Sequence, residues 1–161
     1  MIGKLEFVDV RELWANEAKD FTTWLGENLE ILGEQIGVGL TFIEREKPAG
    51  AFSADILAED EDGRFAVIEN QLGRTDHDHL GKVLTYLANL DAKVAVWIAG
   101  DPRPEHINSI NFLNEMTPAD TSFYLVKLQA VRISVSPAAP LFTLVAGSEP
   151  ELKEMRYQGH P

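Results

Sequence analysis

The chain has 161 residues, 45% hydrophobic and 25% charged, enough for a single folded core over residues 1–148 followed by a polar tail at 149–161. Cysteine is absent, which excludes disulfides, thiolate catalysis and cysteine zinc sites, and no apolar run approaches the ~18 residues of a membrane helix. The net charge of −12 argues against a protein that coats nucleic acid through phosphate contacts, and the expected setting is cytoplasmic, away from membranes.

In chain order, "KLEFVDV" (4–10) alternates as a short strand, and Asn16 caps an amphipathic helix carrying Phe21, Leu25, Leu29, Leu32 and Ile36 at spacings of three and four. Gly37 and Gly39 end it. Three strand patterns follow at 40–46, 52–59 and 64–71, joined by turns around Gly50 and "EDEDG" (59–63). Thr75 and Asp78 read as a T-x-x-D capping box for a helix over 76–90, with Leu80, Val83, Leu84 and Leu87 inward. "KVAVWIAG" (93–100) is a buried strand, 104–116 a helix begun by proline, and 122–133 and 140–147 are strand patterns. A three-strand meander followed by a helical crossover gives an α/β fold, a mixed central β-sheet with helices on both faces.

The stretch "FSADILAEDEDGRFAVIENQ" (52–71) carries the chemistry. Strand alternation puts Asp55 on a face with Ser53 and Leu57, and Glu69 on a face with Val67 and Gln71. A hairpin through the acidic turn then brings two carboxylates together, and paired carboxylates bind cations. Glu17 sits about 60° from the centre of the first helix's apolar stripe, where a negative charge is favoured by the helix start. His77 and His79 read as capping and surface residues, His106 as a helix-surface residue, and Trp14, Trp24 and Trp97 as core or interface residues. Serine-elbow and phosphate-loop motifs are absent.

These residues resemble the PD-(D/E)XK nuclease superfamily, the restriction-endonuclease-like fold, whose plan is helix, strand, strand with Asp, strand ending Glu-x-Lys, helix. The helices "NEAKDFTTWLGENLEIL" and "HLGKVLTYLANL" are similar to those of the archaeal and actinobacterial mismatch endonucleases, and "VIENQL…TDHDHLG…LTY" to uncharacterised prokaryotic nuclease-fold proteins. The resemblance spans residues 11–128. It implies Mg²⁺ (or Mn²⁺) held by Asp55, Glu69 and the Asn70 carbonyl at the strand's end, with DNA phosphodiester bonds as substrate. Glu17 would assist the metal or its water shell. Gln71 departs from the family's lysine and would position water without supplying charge. Lys82 stands where those endonucleases carry glutamine in Q-x-x-x-Y, four residues before Tyr86. It is either the source of the missing positive charge or a solvated helix lysine. DNA binding is expected to be weak and cation-dependent, with Arg45, Lys47, Arg64, Arg74 and Lys82 as a local positive rim and a second copy or a partner protein as a possible companion. The uncharged Gln71 and the acidic balance leave a second reading, a nuclease-fold module that binds or regulates without catalysis.

Overall fold

A computed structural model describes residues 1–148, so the tail expected over 149–161 lies outside the described residues. Among these, seven strands form one mixed sheet: β1 (Leu5–Val8), β2 (Thr41–Ala49), β3 (Phe52–Glu59), β4 (Phe65–Arg74), β5 (Val94–Asp101), β6 (Ser122–Ile133) and β7 (Ala139–Ala146). The order is β1-β6-β5-β4-β3-β2, with β7 also on β6. β4, β5 and β6 run parallel, while β2–β3, β3–β4, β6–β7 and β1–β6 are antiparallel. β6 is long enough for β5 and β1 to share one of its edges in succession, because β7 pairs opposite both.

The expected layering of helices on both faces is present. A π-helical turn (Glu17–Phe21) leads into α1 (Thr22–Glu27) and α2 (Leu29–Ile36), which bury Phe21, Leu25, Leu29 and Leu32 against Ile56, Ile68, Val96 and Val126. On the other face α3 (His77–Asn89) and α4 (Pro104–Met116) bury Val83, Tyr86 and Ile110 against Leu57, Val67, Trp97 and Leu125. Odd and even positions of β4 and β5 divide between these clusters, the strand period written in apolar residues. No helix among the described residues is long and apolar enough to cross a membrane.

Several local expectations are corrected. The first helix is not continuous: Asn28 leaves helical geometry (φ −135°, ψ 35°) and its side chain donates to the Trp24 carbonyl (2.8 Å), although the apolar stripe continues across the break. β2 runs on through Pro48, which an edge strand tolerates because β2 pairs only with β3. α3 is capped by Asp76, whose carboxylate accepts the His79 N–H (2.8 Å), and not by Thr75. Thr75 is buried and its hydroxyl serves His106 and the Arg103 N–H instead. His106 is buried, not on the helix surface, with its ring edge-on to Trp97. The "EDEDG" turn is not wholly solvated either: buried Asp60 accepts from the N–H groups of Asp62 and Arg64 and from Arg64 Nε.

β4 and β5 lose register between Gln71 and Arg74, where the Leu72 carbonyl lies against Gly100. A Cβ at position 100 would meet that oxygen at 2.3 Å, so only glycine admits the irregularity. Gly100→Ala is expected to cost about 1–3 kcal/mol, read as a fall in thermal midpoint of several degrees, with the same fold by circular dichroism. A midpoint unchanged from wild type would show that β4 can relax away from β5 freely.

Candidate acidic site at a strand opening

β3 and β4 are paired from Glu59↔Phe65 to Ile56↔Ile68 and then separate, although the same register continued would put Asp55 opposite Glu69. The apolar alternation of β3 breaks across Asp55, with Ala54 in the α3/α4 cluster and Ile56 in the α1/α2 cluster. The opening leaves β4 backbone donors without strand partners, and each needs one. Two carboxylates fill them. The Asn70 N–H donates to Asp55 Oδ2 (2.8 Å), and the Leu72 N–H donates to Glu17 Oε1.

Glu17 reaches β4 because the helix begins with a π turn. The wide turn is capped by Asn16, which accepts the Lys19 N–H (2.8 Å), and Thr22 Oγ1 donates back to the Glu17 carbonyl (3.1 Å). Arg45 braces the turn from β2, donating to the Ala18 carbonyl (2.7 Å) and to Thr23 Oγ1 (2.6 Å). Asn70 ties the same region from below, its Nδ2 donating to Thr22 Oγ1 (3.0 Å). Such π turns are frequent where a side chain must be offered at a functional site.

Three acids therefore meet at one place. Glu69 is buried, and its carboxyl is pushed up to about 9, by burial first and then by the Asp55 charge. Asp55 is also raised by burial, with the Asn70 N–H opposing and the Glu17 charge adding to the rise. With both ionised, Glu69 Oε2 is buried without a donor; with a proton on Glu69 it donates to Asp55. Asn70 Oδ1 is likewise buried and unpartnered. A buried carboxylate oxygen that lacks a donor beside a second carboxylate fits a small hard cation better than it fits an empty core. From the adjacent helix, Lys82 draws Glu69 down, while Tyr86 is raised to about 12 by burial and then by Glu69 and Asp55, so its hydroxyl stays protonated. Lys82 and Tyr86 also line a groove of about 270 Å³ with Phe52 and His77.

The residues singled out in the sequence are thus not equivalent in place. Glu17, Asp55 and Glu69 converge, and Asn70 joins them through its backbone N–H while its side chain turns to Thr22. Lys82 acts on Glu69 electrostatically but lies 3.5 Å from Asp78, one turn back on its own helix. Gln71 is engaged elsewhere: Nε2 donates to the Arg74 carbonyl (2.6 Å) and Asp76 Oδ2 (2.9 Å), and Oε1 accepts from Trp97 Nε1 (3.2 Å). The other basic residues do not form a free rim. Arg64 pairs with Asp60 and Asp62, Arg74 with Asp101 and Lys47 with Glu44. Sequence reasoning set aside the "TDHDH" run, yet ligand atoms of Asp76, Asp78 and His79 lie within 4.8 Å of one another, close enough to bridge a cation. The spacing D-x-D-H across a helix start was the available signal; Asp76 and Asp78 already serve Gln71, His79 and Lys82.

No protein-family model matches the chain, and no curated protein matches it. Among solved structures, a repair endonuclease from Pyrococcus abyssi is 21% identical over 56% of this chain and 40% of its own, with a TM-score of 0.49. The EndoMS–dsDNA2 complex is 22% identical over 52% of this chain and 36% of its own, with a TM-score of 0.42. The chain spans well under half the length of either.

The raised Glu69 carboxyl has a definite sign. The folded state holds a proton that the unfolded chain, with an ordinary value of 4.5, releases earlier, so stability declines as pH rises from about 4.5 to about 9. In chelator-treated buffer the wild type should lose at least ~4 °C of thermal midpoint between pH 6 and 9 beyond the loss in Glu69→Gln. Asp55→Asn, which removes one repelling charge, should match or exceed wild-type stability at pH 8. Parallel pH profiles for wild type and Glu69→Gln would mean that the acids are not coupled.

Proposed function

We propose that the chain is a metal-dependent nuclease that hydrolyses DNA phosphodiester bonds at the Asp55/Glu69 site. The observation that carries this reading is the convergence of three acids at a strand opening, with Glu69 Oε2 buried and unpartnered among them. Asp55 and Glu17 each hold one backbone donor, but Glu69 Oε2 has none and its carboxyl is set against the Asp55 charge. The order helix, strand, strand with Asp55, strand with Glu69-Asn70-Gln71, helix also agrees with the plan that the sequence resembles.

A Mg²⁺ or Mn²⁺ ion held by Asp55, Glu69 and an oxygen of Asn70 would supply polarisation of the phosphate and activation of water. The chain's own residues prepare that chemistry. Asp55 is fixed by the Asn70 N–H with one oxygen left for a ligand, and Glu17 adds negative charge from the π turn. Lys82 offsets charge at Glu69, and the protonated Tyr86 hydroxyl offers a donor on the same flank. Gln71 acts by position, holding the end of β4 to the start of α3. With Arg64, Arg74 and Lys47 already paired, the acidic surface repels a polyanion until cations are bound, so DNA binding is weak and cation-dependent.

A second reading, a nuclease-fold binding module without catalysis, is favoured by one observation. Gln71, where the superfamily usually has lysine, brings no charge to the site and its amide is fully engaged.

The experiment is a cleavage assay on plasmid and single-stranded DNA with Mg²⁺ or Mn²⁺. Cleavage should require the cation, fall at least ~100-fold in Asp55→Ala and about 10-fold in Lys82→Met, with both variants folded. Cation-dependent DNA binding without cleavage by the wild type would decide for the module.

A further inference from the structure

β1 leaves open a sheet edge of a kind that the fold closes elsewhere. Among the described residues three strands have a single partner: β1, β2 and β7. β2 carries Pro48 and a register shift between Phe42 and Glu44, and β7 carries Pro140, devices that discourage a further strand from pairing. β1 has neither. Leu5–Val8 pair with Ile133–Ala130 of β6, and among the described residues no other group hydrogen-bonds the β1 backbone. Apolar side chains accompany this open edge. Leu5 and Phe7 share a face with Ile133, and the three are 51%, 62% and 51% exposed, a contiguous apolar surface of the kind that marks an interaction site.

The residues along that edge suit a second copy of themselves. In a two-fold antiparallel pair the residue on the axis faces itself, and residues directly opposite lie on one face of the sheet. With Leu5 on the axis, Lys4 faces the partner's Glu6, Gly3 faces the partner's Phe7, and Ile2 faces the partner's Val8. Each pairing is complementary. Lys4 and Glu6 are exposed, and Arg132, the β6 residue opposite Glu6, is already paired with Glu12 (3.8 Å). Ile133 leans over Gly3, its Cγ2 2.7 Å from where a Cβ would stand, so glycine and isoleucine make a floor for the partner's Phe7. Val8 lines a cleft of about 340 Å³ with Val10, Leu72 and Leu128, and the partner's Ile2 adjoins it. Other registers fit worse. An axis at Lys4 or Glu6 sets like charges opposite one another, and an axis at Phe7 sets Leu5 against the partner's Asp9.

We infer that the chain forms a two-fold dimer through β1, with the two sheets joined at Leu5 into one. Backbone hydrogen bonds between the two β1 strands supply affinity, and the Lys4/Glu6 and Gly3/Phe7 pairs fix the register. Residues 2–8 are fewer than the roughly 20–30 per side of a standard interface, so the dimer is reversible and its dissociation constant micromolar. The inference does not rest on the hydrolytic reading of the Asp55/Glu69 site.

The test is sedimentation velocity on the full chain over a range of concentrations. The wild type should show a reversible monomer–dimer equilibrium. Lys4→Glu and Glu6→Lys each set like charges opposite one another twice across the axis, and each should weaken the dimer at least ~10-fold. Mixed in equal amounts, the two variants should recover wild-type association, because each then meets the opposite charge on the other. Damage to the fold of β1 would not be rescued in this way. The chain has no cysteine, so Leu5→Cys adds one thiol per copy. Two such thiols on the axis should be joined by a short thiol crosslinker, whereas Val135→Cys, exposed but off the pairing edge, should stay unlinked. Single variants that associate as the wild type does, or a mixture that stays monomeric, would overturn the inference. A wild type that stays monomeric up to about 0.5 mM would overturn it in favour of residues 149–161 or another protein as the strand on β1.

Discussion

The separation of β3 from β4 beyond Ile56 is the constraint on which the rest of the site depends. A strand that loses its neighbour in the interior must find other acceptors for its N–H groups, since a buried unpaired donor costs roughly 1–3 kcal/mol. Here the acceptors are the carboxylates of Asp55 and Glu17. The backbone of β4 thereby gathers two acids beside Glu69, a residue of that same strand. Other features serve this arrangement. The π turn extends Glu17 toward Leu72, Arg45 anchors the turn, and Gly100 makes room for the Leu72 carbonyl.

Gathering acids in a poorly hydrated place opposes folding, and the protein carries the opposition locally. Glu69 keeps a proton far above the usual carboxylate range, and Lys82 relieves it only in part. Elsewhere the charges are balanced in ordinary ways, as where Asp60 closes its turn on Arg64. Opposed carboxylates of this kind are the pattern expected where function, not stability, selects the residues.

Much of this was legible in the sequence, because the apolar periods of two and of three-to-four are written plainly in β3 to β5 and in the first helix. Alternation placed Glu69 with Val67, and Leu57 and Val67 are paired neighbours in one cluster, but the face expected to be shared by Asp55 and Leu57 is interrupted where the alternation of β3 breaks across Asp55. What was not legible depended on contacts between distant residues. Glu17 meets Leu72 across 55 positions, and no local pattern announces a π turn. His106 read as a surface residue because helix periodicity says nothing of a buried threonine and tryptophan waiting on the sheet. The cap moved from Thr75 to Asp76 for the same reason: the Thr75 hydroxyl had a partner in α4. Gln71 read as a loss of charge, since its three hydrogen bonds exist only once β5 and α3 are in place.

The central claim is that the Asp55/Glu69 pair is built to exchange a shared proton for a divalent cation. Titration calorimetry with Mn²⁺ at pH 7.5, in two buffers of different ionisation enthalpy, measures that exchange directly. The account predicts saturable binding with release of about one proton per ion, and loss of both in Glu69→Gln. Binding that releases no proton, or that survives Glu69→Gln unchanged, would contradict it.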